Sequence, residues 1–319
     1  MHKVWVNLNQ VFGYICTRIL FICAITTSGN LYAKDQGVEV IYYHNGEKIE
    51  LNGEKTEFGY RFNSESDKVL TMATLEWPPY IGEELCNKGW VFQFTVALLV
   101  HKGYQVNVHF YPWARSVKMV ETGQMDILFP EYFIEDSSPS DVIPGKKRRE
   151  LLAQSNKFPG GNISFMKRKN DDVAFDGNLN KLRGQTIGVV RGYQNTPEFD
   201  AMMDAKLINV INAVDELQLM KMLIAKRVNL IIGDPLVFRY SVNYSDLTTS
   251  NKMALLDGVE EVTPAIKYNH LYFAVSIESP YWRTVLDDIN LGLIEFDVEG
   301  ETSRIIGNGS GCVANFDDI

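Results

Sequence analysis

The sequence predicts an α/β fold arranged as two lobes, each a mainly parallel sheet flanked by helices, and three observations lead there. Strand-like and helix-like runs alternate from about residue 68 onward, the pattern of layered α/β proteins. The chain has 319 residues, too many for one small core and suited to two lobes of ordinary domain size. The chemically informative residues Glu76-Trp77, Trp113, Glu131, Arg191 to Tyr193 and Asp234 stand just after strand ends. Parallel sheets bind ligands at that edge, where loops and helix N-termini converge.

Taken in order, residues 1–33 read as an export signal. Lys3 and Arg18 are its only formal charges, Ile19 to Thr26 is a short apolar run, and Ala33 offers a small residue before Lys34-Asp35. The apolar run is too short to span a bilayer. An uncleaved N-terminal anchor is the alternative, given the long stretch before the run; lipid attachment at Cys23 is disfavoured by the bulky Ile22. Residues 34–67 form an N-terminal extension, with the strand-like Val38 to Tyr43 followed by His44-Asn45-Gly46, which suggests a hairpin. Val69 to Leu75 is a strand that ends at the rigid turn Trp77-Pro78-Pro79-Tyr80. Trp90 to about His101 is a helix stopped by Gly103. Val106 to Tyr111 is a strand, and Pro112 opens a helix through Glu121, stopped by Gly123. Met125 to Phe129 is a third strand.

The middle of the chain repeats this order. Gln185 to Val190 is a strand, and Arg191 to Asn195 turn into a helix from about Thr196. Leu207 to Ile211 and Asn229 to Ile232 are strands, with the helix Val214 to Lys226 between them. Asp234-Pro235 starts a further helix. Leu271 to Ser276 is a late strand, and Ser279-Pro280 caps and opens a long helix to about Phe296.

Composition narrows the function. The chain is 45% hydrophobic and 22% charged, as globular proteins are. Loss of residues 1–33 removes Lys3 and Arg18 and takes the formal net charge from −9 to −11. Such acidity argues against nucleic-acid binding, and Lys146-Lys147-Arg148-Arg149 reads first as a solvated loop. No metal is expected, because the five histidines lack metal-ligand spacing and no Cys-x-x-Cys exists. Cys86 and Cys312 remain after export, an even number in an oxidising compartment; they pair as a disulfide or stay as two thiols.

Four segments in a fixed order resemble the amino-acid-binding family of periplasmic solute-binding proteins, family 3, the substrate-binding components of ABC transporters. They are Leu75 to Tyr80 (LEWPPY), Tyr111 to Ser116 (YPWARS) with Glu121 to Asp126 (ETGQMD), Leu182 to Val190 with Gly192, and Arg227 to Asp234 (RVNLIIGD). The resemblance covers about residues 68–310. It implies a type 2 periplasmic-binding-protein fold, with lobe 1 made of 68–157 plus 270–319 and lobe 2 of 164–266. The two hinge crossings would be Phe158 to Ile163 and Pro264 to Tyr268. It implies a monomer in the periplasm that closes on a small polar solute, an amino acid or related compound, without a cofactor. The partner would be a transporter permease or, in the alternative, a membrane sensor receptor. A dehydratase-like enzyme on the same fold is a third reading, disfavoured because no nucleophile is paired with a base.

The chain departs from that family where an arginine should hold the ligand carboxylate. After the third strand it reads Phe129-Pro130-Glu131-Tyr132-Phe133, with no arginine in register. Arg148 falls at the expected separation from Ser155, and Arg115 and Arg191 are the other candidates. Trp77, Tyr80 and Trp113 are read as stacking walls or as core packing. Asp234 is read as an ammonium anchor, as the cap of the following helix, or both. Glu131 is read as a ligand contact or as a solvated or capping glutamate. Arg191, Tyr193 and Gln194, beside Gly192 at a helix start, are read as receiving an anionic group, or Arg191 as a surface arginine on a loop.

Overall fold

A computed structural model describes residues 37–310. The expected signal and Cys312 lie outside the described residues. Cys86 is disulfide-bonded.

The chain opens with β1 (Glu39–His44) and β2 (Glu47–Asn52), an antiparallel hairpin turning on Asn45 and Gly46, both at positive φ. β3 (Glu54–Thr56) and β4 (Gly59–Phe62) follow, and β4 pairs antiparallel with a strand of the main sheet. Next come β5 (Val69–Thr74), α1 (Trp90–His101), β6 (Gln105–Phe110), α2 (Trp113–Glu121), β7 (Ile127–Glu131), β8 (Leu152–Gln154) and β9 (Phe158–Arg168). The remaining elements are β10 (Thr186–Val190), α3 (Pro197–Asp204), β11 (Asn209–Ala213), α4 (Glu216–Ile224), β12 (Leu230–Gly233), α5 (Pro235–Asn243), α6 (Thr249–Asp257), β13 (Val259–Ser276), α7 (Trp282–Val298) and α8 (Glu301–Ser310).

One sheet runs in the order β11-β10-β12-β9-β13-β7-β5-β6-β4-β3, with β8 added on β13. Its two inner sets are parallel: β6-β5-β7 in the first lobe and β11-β10-β12 in the second. The long strands β9 and β13 run antiparallel and join the sets. Phe165 to Arg168 pair with Val259 to Val262 in the second lobe, Phe158 to Ile163 pair with Leu271 to Lys267 between the lobes, and Tyr272 to Val275 pair with β7 in the first. The register breaks between Val262 and Lys267, where Pro264 has no N–H for the ladder. The segments expected to cross between lobes therefore lie side by side in β9 and β13.

α1 is buried on nearly every face, from Trp90 through Leu99, so its sequence is apolar without a polar stripe. It packs against α7, α8 and β1, and buried Phe92, Phe94, Leu98 and Phe296 belong to the core there. A second core gathers Leu219, Leu223, Ile231, Phe238 and Val242 under the second lobe. The long helix expected to open at Ser279-Pro280 begins instead at Trp282, and its cap residue Tyr281 makes no side-chain cap. Ser279 is spent in a turn, bonding Ser276 O through its N–H at 3.2 Å and accepting Trp282 N–H at 3.2 Å.

Candidate functional site

The loop after β5 folds back on itself. The N–H of Trp77 bonds Ile81 O at 2.8 Å and the N–H of Tyr80 bonds Trp77 O at 3.0 Å. This return brings the Trp77 and Tyr80 rings into a stack, 4.4 Å between centroids and 21° between planes. Both rings are buried, and each sends its polar atom to the other lobe. Trp77 Nε1 donates to Glu216 Oε1 at 3.0 Å, and Tyr80 Oη donates to Asp234 Oδ2 at 2.7 Å.

The two acceptors come from helix starts. Glu216 is the first residue of α4, after the cap Asp215, and Tyr193 Oη also donates to its Oε1 at 2.8 Å. Asp234 caps α5, its Oδ1 accepting Leu236 N–H at 2.8 Å. Both roles weighed for Asp234 from the sequence are thus in reach of one side chain, because a carboxylate has lone pairs for both. Burial raises the Glu216 carboxyl to about 7 and the Asp234 carboxyl to about 6, against the opposing hydrogen bonds. Gly161, in β9, leaves the space for this arrangement. A Cβ there would lie 2.1 Å from Asp234 Oδ2 and 2.1 Å from Tyr80 Oη.

A buried ion cluster forms beside them. Arg148 donates through Nη2 to Glu131 Oε2 at 2.8 Å, through Nε to Glu121 Oε1 at 3.1 Å, and through Nη1 to Gly192 O at 3.2 Å. Arg148 is 3% exposed, Glu131 1% and Glu121 0%. One guanidinium therefore faces two carboxylates. Burial holds the Glu131 carboxyl up at about 7 although Arg148 pulls it down. The Gly192 carbonyl also accepts Trp113 Nε1 at 3.0 Å, and the Trp113 ring stands edge-on to Tyr193 at 5.8 Å. Gly192 holds φ +83°, which favours glycine at this turn. Gln194 Oε1 accepts from Ser138 Oγ at 2.8 Å.

Trp77, Trp113, Glu131, Tyr132, Tyr193 and Gln194 line a cavity of about 20 Å³ between the lobes, room for the centre of one water. Glu216 faces a wider recess of about 880 Å³, also lined by Glu76, Glu83, Glu84, Asp215 and Asp246 against two lysines. The structure thus brings together Trp77, Tyr80, Trp113, Glu131, Arg148, Tyr193, Gln194 and Asp234. It does not bring in Arg115, which is exposed on α2 and stacks on Tyr111 at 4.3 Å. Arg191 is exposed too and opens on a neighbouring recess with Asp141, Asp200 and Asp204, which shares Tyr193 and Gln194 with the cavity.

Three residues of the cluster were not singled out from the sequence: Glu216, Tyr132 and Glu121. Glu216 had a signal, since it follows a second-lobe strand at a helix start, the same position that marked Asp234. Tyr132 packs its ring edge-on to Trp77 at 5.7 Å, and its buried hydroxyl has no hydrogen-bond partner. Among the described residues no group of three or more side chains could hold a metal ion, and no helix is long and apolar enough to cross a membrane.

No protein-family model matches the sequence, and no curated protein matches it. Solved structures do match. An ancestral arginine-binding protein bound to arginine aligns with TM-score 0.58 at 18% identity, over 76% of this chain and 98% of its own. An arginine 3rd transport system periplasmic binding protein from Legionella pneumophila aligns with TM-score 0.57 at 14% identity, over 76% and 99%. A histidine kinase sensor domain with similarity to periplasmic binding proteins aligns with TM-score 0.58 at 15% identity, over 76% and 96%. At these identities the likeness is one of fold. The chain has the two-lobed α/β fold of the amino-acid periplasmic binding proteins, the fold its four sequence segments imply.

Proposed function

We propose that this chain is an extracytoplasmic binding protein for a small polar solute, an amino acid or related compound, which it holds by closing its lobes. It would deliver that solute to an ABC-type transporter, without a cofactor and without catalysing a reaction. One observation carries the reading. Aromatic and charged side chains of the first lobe (Trp77, Tyr80, Trp113, Arg148) hydrogen-bond polar groups of the second (Gly192, Glu216, Asp234) around a cavity that Trp77, Trp113 and Tyr193 line. Ligand sites of this kind combine apolar walls with a few convergent polar groups. Export is supported by the pattern of residues 1–33 and by the disulfide at Cys86, since disulfides persist in oxidising compartments.

A cavity with room for one water admits no solute while the lobes are shut, so entry requires them to part. A ligand touching both lobes then favours closure by its differential affinity for the closed form. Small-angle scattering with thermal-shift measurement tests this. A solute that binds should reduce the radius of gyration and raise Tm, by roughly 2.7 kcal/mol of stabilisation at a hundredfold excess over Kd. Stabilisation without compaction would count against closure. A second reading, ligand sensing for a membrane receptor, is favoured by the fold shared with the histidine kinase sensor domain. Pull-down with detergent-extracted membrane components separates the two: a permease supports uptake, a receptor sensing.

A further inference from the structure

The charge of the cleft is the observation that the general reading leaves unused. Arg148 is the one cation hydrogen-bonded into the cluster, and its charge is outnumbered by Glu121 and Glu131. A ligand carboxylate brought to Arg148 would meet a guanidinium whose donors are already spent on Glu121, Glu131 and the Gly192 carbonyl, and it would compete there with two buried carboxyl groups. The other arginines weighed for that role are exposed: Arg115 stacks on Tyr111, and Arg191 lines a neighbouring recess that already holds Asp141, Asp200 and Asp204. The N-termini of α4 and α5 are no substitute. Asp215 caps α4 through Gln218 N–H, and Asp234 caps α5 through Leu236 N–H, so the chain's own carboxylates already sit on the positive ends.

What remains for a ligand is acidic and aromatic. Glu216 Oε1 accepts from both Trp77 and Tyr193, while its Oε2 accepts from neither. The Tyr132 hydroxyl, on a residue only 6% exposed and lining the cavity, has no partner. A tyrosine oxygen can accept an N–H, as Glu216 Oε2 can. Burial, and after it the charges of Asp234, Glu216 and Glu131, keep that hydroxyl protonated. The stacked faces of Trp77 and Tyr80 with the edge-on Tyr132 supply the electron-rich walls that cations favour. The recess that Glu216 faces is acidic as well, lined by Glu76, Glu83, Glu84, Asp215 and Asp246 against Lys221 and Lys252.

We propose that the cleft takes an organic cation without a carboxylate, an amine or guanidine whose N–H groups bond Glu216 and the Tyr132 hydroxyl beneath the Trp77–Tyr80 stack. This inference rests on the solute-binding reading and narrows its ligand. Isothermal titration of the full chain with agmatine, L-arginine and L-glutamate tests it, because agmatine is L-arginine without its carboxylate. Agmatine is expected to bind at least tenfold more tightly than L-arginine, and L-glutamate more weakly than either. Glu216→Gln keeps an acceptor for Trp77 and Tyr193 and is expected to weaken agmatine at least tenfold. If that variant fails to fold, Tyr132→Phe, which removes only an unpartnered hydroxyl, is expected to weaken agmatine about threefold or more. L-Arginine or L-glutamate binding as tightly as agmatine overturns the cation inference and leaves solute binding standing. Agmatine affinity unchanged in the folded variants overturns the assigned contacts. No binding of any of the three overturns the cation inference and removes the amino-acid reading together.

Discussion

Arg148 is held at three points inside the protein, and the balance of charge around it sets what its removal would do. A buried ion pair adds little net stability when made, because desolvation offsets the Coulomb gain, but losing one partner strands the other. Here loss of the arginine strands two carboxylates, while the Gly192 carbonyl keeps its bond from Trp113. Arg148→Met is therefore expected to cost about 3–5 kcal/mol of folding stability. Adding Glu131→Gln to that background should recover part of the loss. Urea denaturation of the single and double variants measures both, and an Arg148→Met midpoint within error of the parent would refute the account. Counting from Ser155 was enough to put Arg148 near the cleft, but nothing in the sequence pairs it with Glu121 or Glu131. Those partners lie 27 and 17 positions away and meet it only through the sheet. Tyr132 escaped notice for a similar reason: in the run Pro130-Glu131-Tyr132-Phe133, which aromatic turns inward depends on the end of β7, and Phe133 is the exposed one.

The elements divide the labour more legibly than the residues do. In the second lobe each parallel strand hands over to a helix through a capping side chain: Thr196 after β10, Asp215 after β11 and Asp234 after β12. Caps of this type have a sequence signature, so the helix starts were readable within two residues. The long strands β9 and β13 were not readable as strands across their whole length. Pro159, Gly160 and Gly161 in one and Pro264 in the other look like loop, and only cross-pairing makes them continuous. That same glycine pair lets the strands approach: a Cβ on Gly160 would lie 2.1 Å from Asn269 O. Asp234 ties the helix grammar to the site. Asp234→Ala removes the α5 cap and the acceptor for Tyr80, with an expected cost of about 1–3 kcal/mol. Asp234→Asn keeps a capping oxygen and should cost less than about 1 kcal/mol of stability. Thermal unfolding of the pair in parallel checks this; equal losses would mean that charge, not capping, sets the stability of α5.

At the scale of the whole molecule, an acidic chain has closed its two lobes over more carboxylates, and pH should reveal the consequence. Burial raises Glu131, Glu216 and Asp200 to about 7 and Asp234 to about 6, each above the ordinary carboxylate value. A carboxyl whose pKa is higher folded than unfolded binds its proton more tightly in the fold. Its stabilising effect is complete below the unfolded value, near 4.5 or 3.8, and is lost as pH rises through the folded value. Each pH unit in that window is worth up to about 1.4 kcal/mol per group, less where the groups share neighbours. The ligand-free protein is thus expected to lose stability between about pH 4.5 and pH 7. Glu216→Gln should flatten part of that decline, because it removes one of the titrating groups without removing its acceptor oxygen. A bound cation reverses the sign: it favours the ionised carboxylates, so agmatine affinity should rise over the same interval in which the free protein weakens. Denaturant titrations at a series of pH values, with and without agmatine, separate the two curves. Parallel curves would mean that the buried carboxylates and the ligand are not coupled, and crossing or converging ones that the cleft's acidity is the property the ligand neutralises.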